Sequence, residues 1–276
     1  MPTEITPSGL SLSLDQEFGG RPIDGYYNQS NPSTAGKLYH YGKRMMSFDG
    51  KVYKYGHTKG ACYGGFGAFN VFPVSKHLTY AVLPIAIKAG DLFTTLTYPS
   101  SAGYASTGFA KDELVGGYIV VGHTSLQLAE THFIAGNDAI SATTSTVKIK
   151  VADKFGSAHT VSDGAEAYPN PYGYLISGPS VGYSYQSVMG VPIMSMTSGY
   201  DGWFQTWGPC WLNPGSADTT MGEGASNREV FFVADGSVNS GLTIAIESGY
   251  QHAGFQIDTT SSGVTSMPLV MLQISI

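Results

Sequence analysis

The sequence predicts an all-β protein: antiparallel β-sandwich or barrel lobes, an extended N-terminal arm and little helix. Three observations carry this. Charged residues make up 12% of the chain, about half the usual share, while glycine contributes 36 residues and tyrosine 18. Disordered chains show the reverse, many charges and few aromatics. Short segments alternate apolar and polar residues with a period of two and are bounded by Gly, Pro, Asn and Ser, the pattern of strands and tight turns. Finally, an aspartate precedes a glycine at Asp24, Asp49, Asp163, Asp201 and Asp235, a turn-forming pair, with no fixed period that would indicate repeats. At 276 residues the chain is long enough to bury a good core as one large β domain or two smaller ones.

Residues 1–36 read as a polar arm. Within it Leu10, Leu12 and Leu14 alternate with serines as one short strand in a Gly/Pro/Ser-rich tether. Two readings stand: a flexible tail, or an arm that adds a strand to a neighbouring subunit's sheet edge, which makes these leucines a candidate interface with another subunit. Residues 37–276 read as the β body. Arg44 to Phe48, then Asp49-Gly50, then Lys51 to Tyr55 predict a β-hairpin with a type I′ turn. Gly60-Ala-Cys-Tyr-Gly-Gly-Phe-Gly67 predicts a loop or bulge; it has neither a P-loop pattern nor a GxGxxG opening a helix. Leu83, Ile85 and Ile87 alternate along a strand that Pro84 places at a sheet edge. Phe109 to Val115 is the only stretch that suggests a helical turn or short helix. Gly116 to Val121 and Thr146 to Val151 predict strands, the second with Lys148 and Lys150 on its wet face. The Pro- and Tyr-rich crossing Tyr168 to Tyr174 is a candidate boundary between two lobes, divided near 165–174. Further strands are expected at Val181–Tyr185, Val191–Met196, Glu229–Val233 and Leu242–Ile246. Pro268–Ile276 should be a closing strand, with Val270, Leu272, Ile274 and Ile276 on one face.

The chain is organised around Ser198 to Leu212, which holds all three tryptophans, Trp203, Trp207 and Trp211, and Cys210, one of two cysteines. The spacing fits one face of a helix or of a strand, and Gly202 and Gly208-Pro209 argue against a helix. A strand over Trp203–Trp207, a break at Gly208-Pro209 and a short extended piece follow. The tryptophans read as a structural aromatic core; the other reading is an aromatic ligand platform.

Tyr200-Asp-Gly-Trp-Phe-Gln-Thr-Trp-Gly-Pro-Cys210 resembles the GYxGWxQTWGPC signature near the C-terminus of a family of tailed-bacteriophage virion proteins. These are capsid-associated decoration or cement proteins, often encoded beside the major capsid protein. Gly36–Tyr55 resembles the family's DGRxFxYV segment. Glu113-Leu-Val-Gly-Gly-Tyr-Ile-Val-Val121 is similar to its EYAGGYLVI, and Pro169-Asn-Pro-Tyr172 to its PNPY. The likeness runs in order from about Gly36 to the end and is most specific at the tryptophans; the arm and Asp218 to Arg228 match nothing in it. It implies a non-enzymatic structural virion protein that binds the outside of the capsid and stabilises it. The major capsid protein would be its partner and, by analogy with three-fold capsid sites, a homotrimer its assembly.

The residues themselves offer little catalytic chemistry. Gly178-Pro-Ser180-Val-Gly182 matches the nucleophile elbow G-x-S-x-G, with Asp201 or Asp218 and then His252 in the hydrolase order. However, an alternating strand follows where that mechanism needs a helix. The seven histidines, His40, His57, His77, His123, His132, His159 and His252, show no zinc-binding spacing, and no metal or cofactor is predicted. Asp201 beside Trp203 and Trp207 would suit a carbohydrate- or receptor-binding module, the alternative reading; turn chemistry with Gly202 is the simpler one. With a net charge of −6 and no Lys/Arg run, direct nucleic-acid binding is not expected. No stretch approaches a membrane span, and Met1 to Pro7 lacks the basic and apolar regions of a signal peptide. Synthesis in the host cytoplasm is therefore expected, with Cys62 and Cys210 reduced and the Asn28-Gln-Ser30 acceptor motif unused.

Overall fold

The computed structural model describes residues 18–19, 30–47, 49–71, 78–97, 108–122, 129–140, 146–178, 186–215, 228–241, 250–257 and 268–275. In chain order the elements are β1 (Phe18–Gly19), α1 (Pro32–Ala35), β2 (Arg44–Ser47), β3 (Val52–His57), β4 (Ala68–Asn70) and β5 (Leu78–Val82). Then come β6 (Phe93–Thr97), β7 (Tyr118–Gly122), β8 (Ala129–Asn137), β9 (Thr146–Val151), β10 (Gly164–Tyr168) and β11 (Leu175–Ile176). The last are β12 (Val188–Pro192), β13 (Asp201–Trp211), β14 (Glu229–Phe232), β15 (Val238–Ser240), β16 (His252–Gln256) and β17 (Leu269–Gln273). The all-β expectation holds, with two curled, almost wholly antiparallel sheets. Among the described residues no helix is long and apolar enough to cross a membrane.

The chain forms two compact units, and the second is an insertion: residues 1–70 with 175–276, and residues 71–174. The return to the first unit follows directly on the Pro/Tyr crossing at Tyr168–Tyr174. There Asn170 accepts the N–H of Tyr172 at 2.9 Å and its carbonyl accepts that of Gly173 at 3.0 Å. The other crossing, at 70/71, makes the lobes nested rather than sequential.

The first unit's sheet runs β1-β2-β3-β13-β17-β16-β14-β15, with β12, β4 and β11 branching from β13. The second unit's sheet runs β5-β10-β7-β8-β9-β6 around a core that includes Leu96, Leu114, Ile119, Ile134, Ile149 and Phe155. In β9 the alternation is as read: Val147, Ile149 and Val151 are buried, Lys148 and Lys150 exposed.

Several expectations need correction. Phe109–Val115 forms no short helix: Phe109 bridges Ile140, and residues 111–116 are successive turns ending on Gly116 at φ +83. Leu83, Ile85 and Ile87 lie outside any strand; Leu83 and Ile87 are core residues and Ile85 is exposed. The hairpin β2–β3 forms, but its turn is not type I′. Gly50 has φ +79, the Ser47 carbonyl accepts the Gly50 N–H at 3.0 Å and the Ser47 N–H donates to the Lys51 carbonyl at 2.9 Å, so three residues rather than two form the loop. One positive-φ glycine after a tight turn suffices to reverse the chain. Part of the expected arm belongs to the body. β1 pairs in parallel with β2, Ser30 exchanges backbone hydrogen bonds of 2.9 and 2.8 Å with Asp201, and α1 follows. The signal was present: Asn31 caps Ser33 N–H at 2.9 Å, Pro32 opens the turn and Gly36 at φ +73 closes it. Leu10, Leu12 and Leu14 lie outside the described residues, as do Ser180, Asp218, and the strands expected at Val181–Tyr185 and Leu242–Ile246.

Candidate functional site

β13 is the strand on which the first unit is built. It is longer than the sequence suggests: eleven residues, unbroken at Gly208-Pro209. Its first half pairs with β3 and, at Phe204 and Gln205, with β12; its second half pairs with β17. Where the neighbour changes, the register slips. Gln205 faces Tyr53 and Trp207 faces Val52, so Thr206 is the extra residue of a bulge. Gly208 sits just beyond at φ +94, a conformation other residues resist. The Gln205 side chain, 3% exposed, fixes this kink by donating to the carbonyls of Trp207, Gly208 and Pro209 at 3.1, 3.1 and 2.9 Å. Proline cannot donate to a ladder, and a bulge is one of the few places a sheet accepts it.

The bulge separates the three tryptophans. Trp203 is 3% exposed and packs with Tyr55 at 5.1 Å and Tyr39 at 5.4 Å, in a cluster with Met45 and Tyr53. Past the bulge only Gly208 and Cys210 are buried; Trp207 and Pro209 are partly exposed and Trp211 is 40% exposed. The single aromatic core is thus corrected to one core tryptophan and two on an outward face. Trp211 lies across Gly65, where a side chain would meet its ring, which accounts for one glycine of the loop at 60–67.

That outward face continues over three strands. Trp211 stands opposite Leu269, and Pro209 opposite Met271, which in turn faces Phe255 on β16. Residues directly opposite in an antiparallel pair share a side. Leu269, Phe255 and the adjoining Ile257 are 41%, 43% and 44% exposed. The alternate residues Val270 and Leu272 are fully buried, as expected for the closing strand. Four large apolar side chains, each about two-fifths exposed, present roughly 300 Å² of apolar surface, the size of the largest patch on an ordinary monomer, which is often a functional one. Sequence reasoning missed Phe255, Ile257 and Leu269 because each looks like an ordinary strand residue until its neighbours are known.

Asp201 is not in a turn. It opens β13, fully buried, and accepts hydrogen bonds from Tyr41 at 3.2 Å and His57 Nδ1 at 2.7 Å. Its second oxygen has no partner. Lys37, exposed at the surface, lies close enough to feel it: partial burial lowers the Lys37 pKa and Asp201 opposes that. A carboxylate with no exposed surface cannot face a saccharide, so the platform built on Asp201 is excluded. It pins the chain at 30–41 to the sheet instead.

In the second unit His132 and His159 meet around Glu130. His132 Nε2 is 3.0 Å and His159 Nε2 3.4 Å from its two oxygens, and His132 Nδ1 is 3.0 Å from Asp153. Burial pushes the Glu130 pKa upward, but the N–H groups of Gly156 and Ser157, both at 2.7 Å, and His132 outweigh it and hold the carboxyl at about 2. No spacing in the sequence announces this cluster. Among the described residues no group of three His, Cys, Asp or Glu could hold a metal ion. His252 is exposed, its ring 5.3 Å from that of Phe231. Cys62 and Cys210 are free and buried, and burial pushes both thiols up to about 12. The chain matches no protein-family model, no curated protein and no solved structure.

Proposed function

We propose that this chain is a non-enzymatic structural protein of a bacteriophage virion, attached to the outside of the capsid by the apolar face of β13, β17 and β16. The observation that carries this reading is the contiguous exposure of Trp211, Leu269, Phe255 and Ile257 on one rigid sheet. A sheet held by paired main chain presents such a face at little ordering cost. The virion assignment draws on the likeness of Tyr200–Cys210 to a capsid-associated family, and those residues build the strand that carries the face. The partner is the major capsid protein, and a homotrimer at capsid three-fold positions is the favoured assembly. The test is quantitative mass spectrometry of purified virions from the phage that encodes the chain. A copy number matching a class of symmetry-related capsid sites is expected. Absence from washed virions overturns the proposal.

A further inference from the structure

The second unit carries a cleft that the apolar face does not involve. β8 has its own bulge: Ile134 faces Val151 and Gly136 faces Lys150, leaving Ala135 unopposed. Ala135 and Gly136, both small, line the cleft beside the turn that carries Lys111 and Asp112. Asp112 is the one non-glycine residue at positive φ among the described residues, +61°. A Cβ on Gly136 would stand 3.0 Å from Asp112 Oδ1, so the glycine leaves room for that carboxylate. The turn is fixed from beneath by Asn137, 4% exposed. Its side-chain N–H groups donate to the carbonyls of Ala110 and Asp138, both at 2.9 Å, and its oxygen accepts the Leu114 N–H at 2.8 Å. Across the cleft stand Lys148 and Lys150 on β9, with Phe93 of β6 opposite Lys150. Phe93 is 46% exposed and the Lys148 ammonium lies 4.5 Å from its ring centre.

We infer that this cleft, about 280 Å³ in volume, binds a carboxylated sugar unit of an acidic glycan. Three lysines, Lys111, Lys148 and Lys150, line one space in a chain with only 14 cationic side chains and a net charge of −6. They match a carboxylate. Asp112 and Asp138 line the same space and accept hydrogen bonds from hydroxyls, which a bare anion does not offer. The Phe93 ring supplies an apolar surface for the C–H face of a pyranose. A neutral sugar would leave the lysines unused, and a simple inorganic anion would meet two carboxylates with nothing to donate to them. The volume admits one monosaccharide unit, at the lower end of small-molecule sites.

The test is a titration of the full chain with sodium glucuronate, followed by amide chemical shifts and calorimetry, with glucose, acetate and sulfate as comparisons. Glucuronate should bind more tightly than any of the three and shift the amides of Gly136, Asn137 and Lys150. Replacing both exposed lysines, Lys148→Ala with Lys150→Ala, should weaken it by at least about tenfold, the loss of a charge-assisted contact, with melting unchanged. Phe93→Ala should weaken glucuronate but not acetate. Sulfate or acetate binding as tightly as glucuronate would overturn the inference. So would an unaffected double variant, or no saturation up to roughly 10 mM, too weak to fill a site. Virion copy number does not depend on this cleft, so either proposal can fail alone.

Discussion

Trp203→Ala and Trp211→Ala should differ sharply, although the two residues sit on one strand eight positions apart. Trp203 is 3% exposed and touches two tyrosine rings within 5.4 Å. An aromatic side chain burying roughly 200 Å² contributes about 5 kcal/mol at about 25 cal/mol per Å². Partial collapse of Tyr39 and Tyr55 into the gap leaves an expected loss of about 3–5 kcal/mol. Trp211, at 40% exposure, lies across Gly65 at the surface, so its removal opens onto solvent and about 1–2 kcal/mol is expected. Urea unfolding followed by far-ultraviolet circular dichroism reads both without relying on tryptophan emission. Equal losses, or a larger loss for Trp211, would refute the division of β13 by its bulge.

Three further outcomes are expected. Gln205→Leu removes the donor shared by three carbonyls at the kink and should cost about 1–3 kcal/mol, measured by the same unfolding curve; an unchanged midpoint would show that the clamp is dispensable. Glu130 titrates at about 2 when folded against an ordinary 4.5, so its contribution is complete above pH 4.5 and lost as pH falls toward 2. Melting of the wild type should drop across that window, and that of Glu130→Gln should drop less; parallel curves would contradict it. Cys62 and Cys210, with thiols at about 12, should resist a maleimide at neutral pH in the native protein and react once urea unfolds it; rapid native labelling would refute their burial.

Local pattern made some of this fold legible. The alternation Thr146–Val151 gave β9 with its faces correct, and Val270 and Leu272 gave the inner side of β17, because period-two burial is a property of a segment by itself. The hairpin β2–β3 was readable from Asp49-Gly50, although its turn type was not. What pattern could not give is pairing at a distance. β13 lies between β3, about 150 residues earlier, and β17, about 60 later. Gly208-Pro209 reads locally as a break; only the Gln205 clamp and the partner strands make it a kink within one strand. The exposure of Trp211 and the insertion beginning at residue 71 depend on the same long-range pairing. The lysine cleft is likewise assembled from a turn and three strands that sit next to each other only in the folded unit.

Hydrogen exchange of the chain, free and bound to its virion, tests the central claim most directly. Burial of the apolar face predicts that the C-terminal half of β13 and the strands β16 and β17 gain protection on attachment. It also predicts that Trp211→Ser combined with Phe255→Ser and Leu269→Ser abolishes both the protection and the binding. Attachment that leaves β13, β16 and β17 exchanging as in the free protein, with the triple variant binding normally, would contradict the account.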